Sequence, residues 1–323
     1  MAMSRVIVTG ANGFVGRALC RALLAAGHEV TGLVRRRGVC AEGVSEWVHE
    51  ADDFDGVADR WPAGLQVDAV VHLAARVHMM RDRSPDPDAA FRASNVAATM
   101  RVARAAQQQG ARRFVFLSSV KAIAESDGGT PLCENSTPAP QDAYGRSKLE
   151  AERALEQLRD ELSFDTVIVR PPLVYGPGVR ANFLSLMRAV SRGVPLPLGA
   201  VRARRSMVYV DNLADAVMRC VTEPAATNGC FHVADSDMPP TIAELLDDIG
   251  HHLGRPARLL PVPERLLRVA GALTGRTAQI DRLTSDLRLD TTHIRTVLDW
   301  RPPRSSEEGL AETACWFKSL GRR

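Results

Sequence analysis

The chain has 323 residues, 45% hydrophobic and 24% charged, a composition that excludes a disordered chain, a collagen-like repeat and a coiled coil. Forty-one basic against 38 acidic residues leave a formal charge of +3, too mild to imply nucleic acid as a partner. No apolar run approaches the ~18 residues of a membrane span. The six cysteines form no C-x-x-C pair and no zinc-ligand spacing, so no metal is expected. They read as thiols of a reducing compartment, and a strand pattern from Arg5 leaves no room for a signal peptide, so the expected location is the cytoplasm, away from membranes.

In chain order, the patterning predicts strands at Arg5–Thr9 and Glu29–Val34, a weak edge strand near Glu46–His49, and strands at Ala69–Leu73, Phe114–Ser118 and Thr166–Arg170. Helical spacing covers Val15–Ala26, Ala90–Gln109 and Lys148–Leu162 between them. Such alternation predicts an α/β fold, a doubly wound parallel sheet with helices on both faces. Beyond Arg170 prolines punctuate the chain. The expected elements there are a helix at Phe183–Val190, a strand at Ser206–Val210, a helix at Asp211–Val221 and a strand at Cys230–Ala234. Helices at Ile242–Leu253, Glu264–Leu273 and Thr291–Leu298 complete the pattern. Residues 1–172 and 206–236 are expected to form a dinucleotide-binding domain, and 173–205 with 237–323 a smaller α/β lobe.

Four motifs carry chemistry. Gly10-Ala11-Asn12-Gly13-Phe14-Val15-Gly16 follows the first strand and opens the first helix. Its glycines suit a tight turn, close approach of a pyrophosphate, and close packing of helix on sheet. The helix N-terminus favours the phosphates. At the end of the second strand, where many NAD-binding folds carry an acid, stand Arg35, Arg36 and Arg37. They tilt the cofactor, NAD or NADP, toward NADP; the other reading is a solvated surface. Tyr144 and Lys148 share a helix face at i, i+4, where an ammonium would lower the phenol pKa toward that of a general base. Finally, the strand at Phe114 ends in Ser118-Ser119, at the sheet end where open α/β folds bind ligands. Ser118 either meets a ligand or caps a turn.

These elements together resemble the extended short-chain dehydrogenase/reductase superfamily, in particular its nucleotide-sugar epimerases and 4-keto-sugar reductases. Leu73, Ala74 and Ala75 are similar to that family's cofactor-contacting strand end, and Asn95 to its structural asparagine, grouped here with the cofactor site. Ser119 precedes Tyr144 by the family's interval of 25 residues, and the segment from Pro171 through Val174 resembles the stretch beside the nicotinamide. Asn182 and Arg205 match residues that meet the nucleotide diphosphate; Arg282 is a further candidate. The resemblance implies catalysis by Ser119, Tyr144 and Lys148. The implied reaction is C4 epimerisation of a UDP- or dTDP-hexose through a 4-keto intermediate, in polysaccharide precursor synthesis, by an enzyme that could be a homodimer. A 4-keto reductase consuming NADPH and a catalytically silent NADP-binding sensor are the alternatives. One departure stands out. Val120-Lys121-Ala122-Ile123 replaces the threonine-x-x-tyrosine pattern of UDP-galactose epimerases, and Lys121, one of only three lysines, is a candidate substrate contact, the other reading being a solvated loop lysine.

Overall fold

The strands of the main sheet are apolar on both faces, which only a sheet covered on both sides can bury. The computed structural model describes residues 3–77, 86–275 and 277–321. The first half runs β1 (Arg5–Thr9), α1 (Phe14–Ala25), β2 (Glu29–Val34), β3 (Ser45–Val48), β4 (Ala69–His72), α2 (Pro87–Arg92), α3 (Ala98–Gln108), β5 (Arg113–Leu117), α4 (Ala143–Leu162) and β6 (Asp165–Arg170). The second half adds β7 (Leu173–Tyr175), α5 (Ala181–Arg192), β8 (Met207–Tyr209), α6 (Val210–Thr222) and β9 (Cys230–His232). Helices α7 (Ile242–Leu253), α8 (Glu264–Leu273), α9 (Thr277–Thr284), α10 (Thr292–Leu298) and α11 (Ser306–Leu320) follow.

Seven strands form one sheet in the order β3-β2-β1-β4-β5-β6-β9, every pair parallel. The winding reverses between β1 and β4, and that switch point opens a crevice at the carboxyl ends of the strands. Alternation along each strand feeds two cores. Val6, Val8, Val71 and Val115 pack under α1 and α6. Ile7, Val70, Phe114 and Phe116 pack under α3 and α4.

Strand β8 does not extend this sheet; it pairs with β7 in a separate two-stranded parallel sheet. Asp235, just past β9, ties the two sheets together. Its carboxylate accepts from the Tyr209 backbone N–H at 2.9 Å, from Asn212 at 2.8 Å and from the Tyr175 hydroxyl at 2.9 Å.

The predicted strands lie within a residue or two of the observed ones, but two of the predicted helices differ. The single helix expected over Ala90–Gln109 is α2 and α3 joined by a π-helical segment, Ala93–Ala97. Helix α4 starts five residues before the expected Lys148, because the Asp142 carboxylate caps it by accepting from the Gly145 N–H at 2.7 Å. Strand β7 and helices α9 and α11 are additions. Helix α11 opens on a capping box of Ser305 and Glu308.

Candidate active site and dinucleotide cleft

Thr9 closes β1, and its hydroxyl accepts from the Leu73 and Ala74 N–H groups at 3.1 Å each, locking the ends of β1 and β4 together. The chain then turns at Gly10, whose φ of 68° is left-handed, and the Gly13 N–H donates to the Gly10 carbonyl at 2.9 Å. A Cβ on Gly16 would lie 2.1 Å from that same carbonyl oxygen, so only glycine lets α1 descend so close to the turn. Gly13 caps α1 without a side-chain acceptor, which leaves the first N–H groups of the helix available to an anion.

A cleft of about 1090 Å³ opens there. Of the predicted cofactor residues, Gly10, Asn12, Gly13 and Phe14 line its floor. Leu73, Ala74 and Ala75 form the opposite wall. Val15 and Gly16 sit behind the floor, in the first turn of α1. Glycine crowding, open helix N–H groups and a long cleft at the switch point suit a dinucleotide, whose pyrophosphate Gly10–Gly16 would hold.

Arg35 reaches the far end of the cleft, but its guanidinium is 2.5 Å from the Asp52 carboxylate, which lines the same wall. Arg36 is exposed and lies outside the cleft lining. Asp52, beyond β3, is thus an acid on the cleft wall although none stands at the end of β2. Sequence reading missed Asp52 because it looked for the acid at the end of β2. Arg180, Asp211, Glu312 and Trp316 also line the cleft unforeseen, the last two from α11.

The catalytic candidates gather beyond β5. Ser118 is buried; its N–H donates to the Val169 carbonyl at 2.8 Å, while its hydroxyl has no partner among the described residues. Ser119 caps the short turn Val120–Ala122, accepting from the Lys121 N–H at 3.2 Å. The Val120 N–H donates to the Pro171 carbonyl at 3.0 Å, which docks this turn beside the buried Pro171, two residues before β7, where Val174 is half-buried. Tyr144 stands in the first turn of α4, edge-on to Phe91 at 6.2 Å between ring centroids. Lys148 is buried one turn on. Its ammonium donates to the Leu117 carbonyl at 2.7 Å and lies 4.4 Å from the Phe116 ring centroid and 5.9 Å from that of Tyr144.

The electrostatics differ from the expectation that Lys148 lowers the phenol. Burial pushes Tyr144 up to about 12; a hydrogen bond with Ser119 pulls down, and the nearby Asp142 carboxylate pushes further up. Burial also lowers Lys148 to about 7, partly offset by Glu152, four residues on. Glu152 is itself held in a buried bidentate pair with Arg170, with side chains 1% and 8% exposed. Burial outweighs the opposing Ser119 hydrogen bond at Tyr144 and the opposing Glu152 charge at Lys148.

Asn95 turns away from the cleft. Its amide accepts from the Arg76 N–H at 2.7 Å and donates to the Arg76 carbonyl and the Ser147 hydroxyl. It braces the β4 loop against α4 rather than facing a ligand, and the π-helical segment puts it there.

The predicted substrate residues divide. Asn182 is exposed on the first turn of α5. Lys121, Arg205 and Arg282 come together. The Lys121 ammonium is 2.6 Å from the Asp142 carboxylate and 3.1 Å from that of Glu125, and Arg282 of α9 pairs with the same two acids. Arg205 donates to the backbone carbonyls of Arg282 and Ser285. Neither Asp142 nor Glu125 was singled out from the sequence: Asp142 is 21 residues from Lys121, and Glu125, though only four residues away, lies in a loop region with no helical pattern to mark the pair.

Residues 6–234 match the model of the NAD dependent epimerase/dehydratase family. A UDP-glucose 4-epimerase of Vibrio cholerae is 38% identical over 321 residues, covering 98% of this chain and 97% of that protein. A 3-diazoavenalumate denitrifying reductase of a Streptomyces species is 30% identical over 324 residues, covering 98% and 99%. The structure of a UDP-glucose 4-epimerase from Thermotoga maritima, solved with UDP-glucose, superposes with a TM-score of 0.77 at 20% identity, covering 98% and 99% of the two chains.

Proposed function

Because the chain belongs to the NAD-dependent epimerase/dehydratase family, we propose that it interconverts the C4 epimers of a UDP- or dTDP-hexose for polysaccharide precursor supply. The observation that carries this reading is the placement of Tyr144 beside Ser119, with buried Lys148 one turn on, at the sheet end where the cleft opens. That end of the sheet is where a sugar hydroxyl and a nicotinamide could meet.

Tyr144, as the phenolate, takes the proton of the 4-hydroxyl. Ser119 shares the hydrogen bond and fixes the oxygen's direction. Lys148, anchored on the Leu117 carbonyl, is assigned to the nicotinamide ribose, and its ammonium form opposes the burial that raises the phenol. An oxidised nicotinamide supplies two things there when bound, a hydride acceptor at the sugar carbon and a positive charge that favours the phenolate. Asn182 and Arg205 are assigned to the nucleotide diphosphate; Arg282, held by the same two acids as Lys121, is left out of that set. In this reading 173–205 with 237–323 act as the lobe over the sugar nucleotide, and the enzyme works in the cytoplasm as a homodimer.

Arg35 favours a second reading, a reductase drawing on NADPH, since a guanidinium at the adenosine end suits a 2′-phosphate once it leaves Asp52. One assay separates the two. The protein is incubated with UDP-glucose, UDP-N-acetylglucosamine or dTDP-glucose and NAD⁺, and the C4 epimers are resolved by chromatography. In parallel, NADPH is followed at about 340 nm with a 4-keto sugar nucleotide. Epimerisation without net absorbance change supports the first reading. Stoichiometric NADPH loss supports the second. Neither would leave a dinucleotide-binding sensor.

A further inference from the structure

Lys121 faces away from the role its sequence suggested. A substrate-following ammonium needs to be free, yet this one is bonded to Asp142 at 2.6 Å and Glu125 at 3.1 Å, and its side chain is only 28% exposed. Two contacts instead join the turn carrying Ser119 to the helix carrying Tyr144, and a third fixes the turn itself. Within the turn the Ser119 hydroxyl accepts from the Lys121 N–H at 3.2 Å, and the nearness of that hydroxyl favours the Tyr144 phenolate. The Lys121 ammonium grips Asp142, whose other oxygen caps α4 at Gly145. A Cβ on Gly145 would sit 2.3 Å from the Lys121 carbonyl oxygen, so the turn and the helix are packed to backbone contact.

We propose that Lys121 is a positioning residue for the Ser119–Tyr144 pair: it clamps the serine turn onto α4 and neutralises the Asp142 carboxylate beside the tyrosine. This rests on the assignment of Tyr144 as the base. The charges around the pair are few. Asp142 faces Lys121, the Gly145 N–H and, at 3.6 Å, Arg282. Tyr144 faces Ser119, Asp142 and Lys148. On the α2 side, Arg146 is paired with Asp88, Arg92 with Glu150, and Arg76 lies over Phe91. Glu125, with Arg282, completes the cluster. Asp142 disfavours the phenolate. Removing the Lys121 charge therefore exposes Tyr144 to more of that field, and removing the Asp142 charge relieves it.

The test is a set of substitutions with opposite signs. In Lys121→Met the acid limb of the kcat–pH profile for C4 epimerisation moves up by roughly 0.5–1 unit. KM for the sugar nucleotide stays within about twofold, and Lys121→Arg restores the profile. In Asp142→Asn, which keeps a good helix cap, the limb moves down. The double variant returns toward wild type, as a coupled pair requires. A several-fold rise in KM with an unmoved limb would make Lys121 a substrate contact and overturn the proposal. So would shifts of the same sign in the two single variants. An arm free of turnover uses protein labelled with ¹³C at tyrosine Cζ, with and without NAD⁺. Three tyrosines give three resonances, and Tyr144→Phe assigns one. That resonance titrates at higher pH in Lys121→Met and at lower pH in Asp142→Asn. If wild type epimerises no hexose but the resonances move this way, the reaction assignment fails and the clamp stands. If they do not move, the clamp fails.

Discussion

In the proposed reaction the chemistry turns on the Tyr144 oxygen. Tyr144→Phe keeps the ring against Phe91 and should leave folding and dinucleotide affinity unchanged, while turnover falls by a factor on the order of 10² to 10⁴. Circular dichroism, dinucleotide titration and steady-state rates check the three parts; near-normal turnover would assign the base elsewhere. In the dinucleotide cleft, whose lining does not include Tyr144, Arg35→Asp places two carboxylates where a pair now stands. Affinity for NADP should fall by tenfold or so relative to NAD, measured by calorimetry with both cofactors. Equal affinities before and after would put Arg35 on the surface. The glycines, Tyr144 and Lys148 were legible because each chemistry sets a short spacing, and Ser119 through the resemblance to a family with a 25-residue interval to the tyrosine. Asp52 and Asp142 were not, since what makes them matter is an ion pair, with Arg35 across two strands and with Lys121 across 21 residues.

Helix α1 shows how an element is fitted to its task. Its first turn lies against the Gly10 carbonyl, and Gly16→Ala would drive a methyl into that oxygen. The expected result is a loss of about 1–3 kcal/mol or more in urea denaturation, with dinucleotide affinity reduced at least tenfold. Ala at this position with unchanged affinity would show that α1 can shift without disturbing the phosphate site. Helix-scale features were unevenly legible. The period of α1 and α7 is plain, whereas the buried stripe of α11 includes Gly309 and Thr313, so the helix was missed and the Ser305–Glu308 capping box went unread. The π-helical segment left no trace in the pattern. One extra residue per turn keeps the same apolar faces on either side while rotating Asn95 into the loop at Arg76.

For the whole molecule, the sheet order follows from alternation and from strands buried on both faces, so the doubly wound plan was readable early. The pairing of β8 with β7 was not, because a three-residue strand says nothing about which edge it will find. The fold also carries a strain for the sake of the site. Lys148 is held near 7 in the folded chain against an ordinary 10.5. The folded state thus disfavours its charge; the penalty is full below pH 7 and fades as pH rises toward 10.5. Lys148→Met should therefore raise the melting temperature at pH 6–7, with a gain that shrinks by pH 10, while abolishing turnover. A gain independent of pH would mean that packing, not charge, is responsible. The central claim, transient oxidation at C4 within one closed site, is tested most directly with a UDP-hexose deuterated at C4. The account predicts slower turnover than with the protiated sugar and an epimerised product that keeps its deuterium at C4. An epimer formed at an unchanged rate, or with the label lost to solvent, would contradict it.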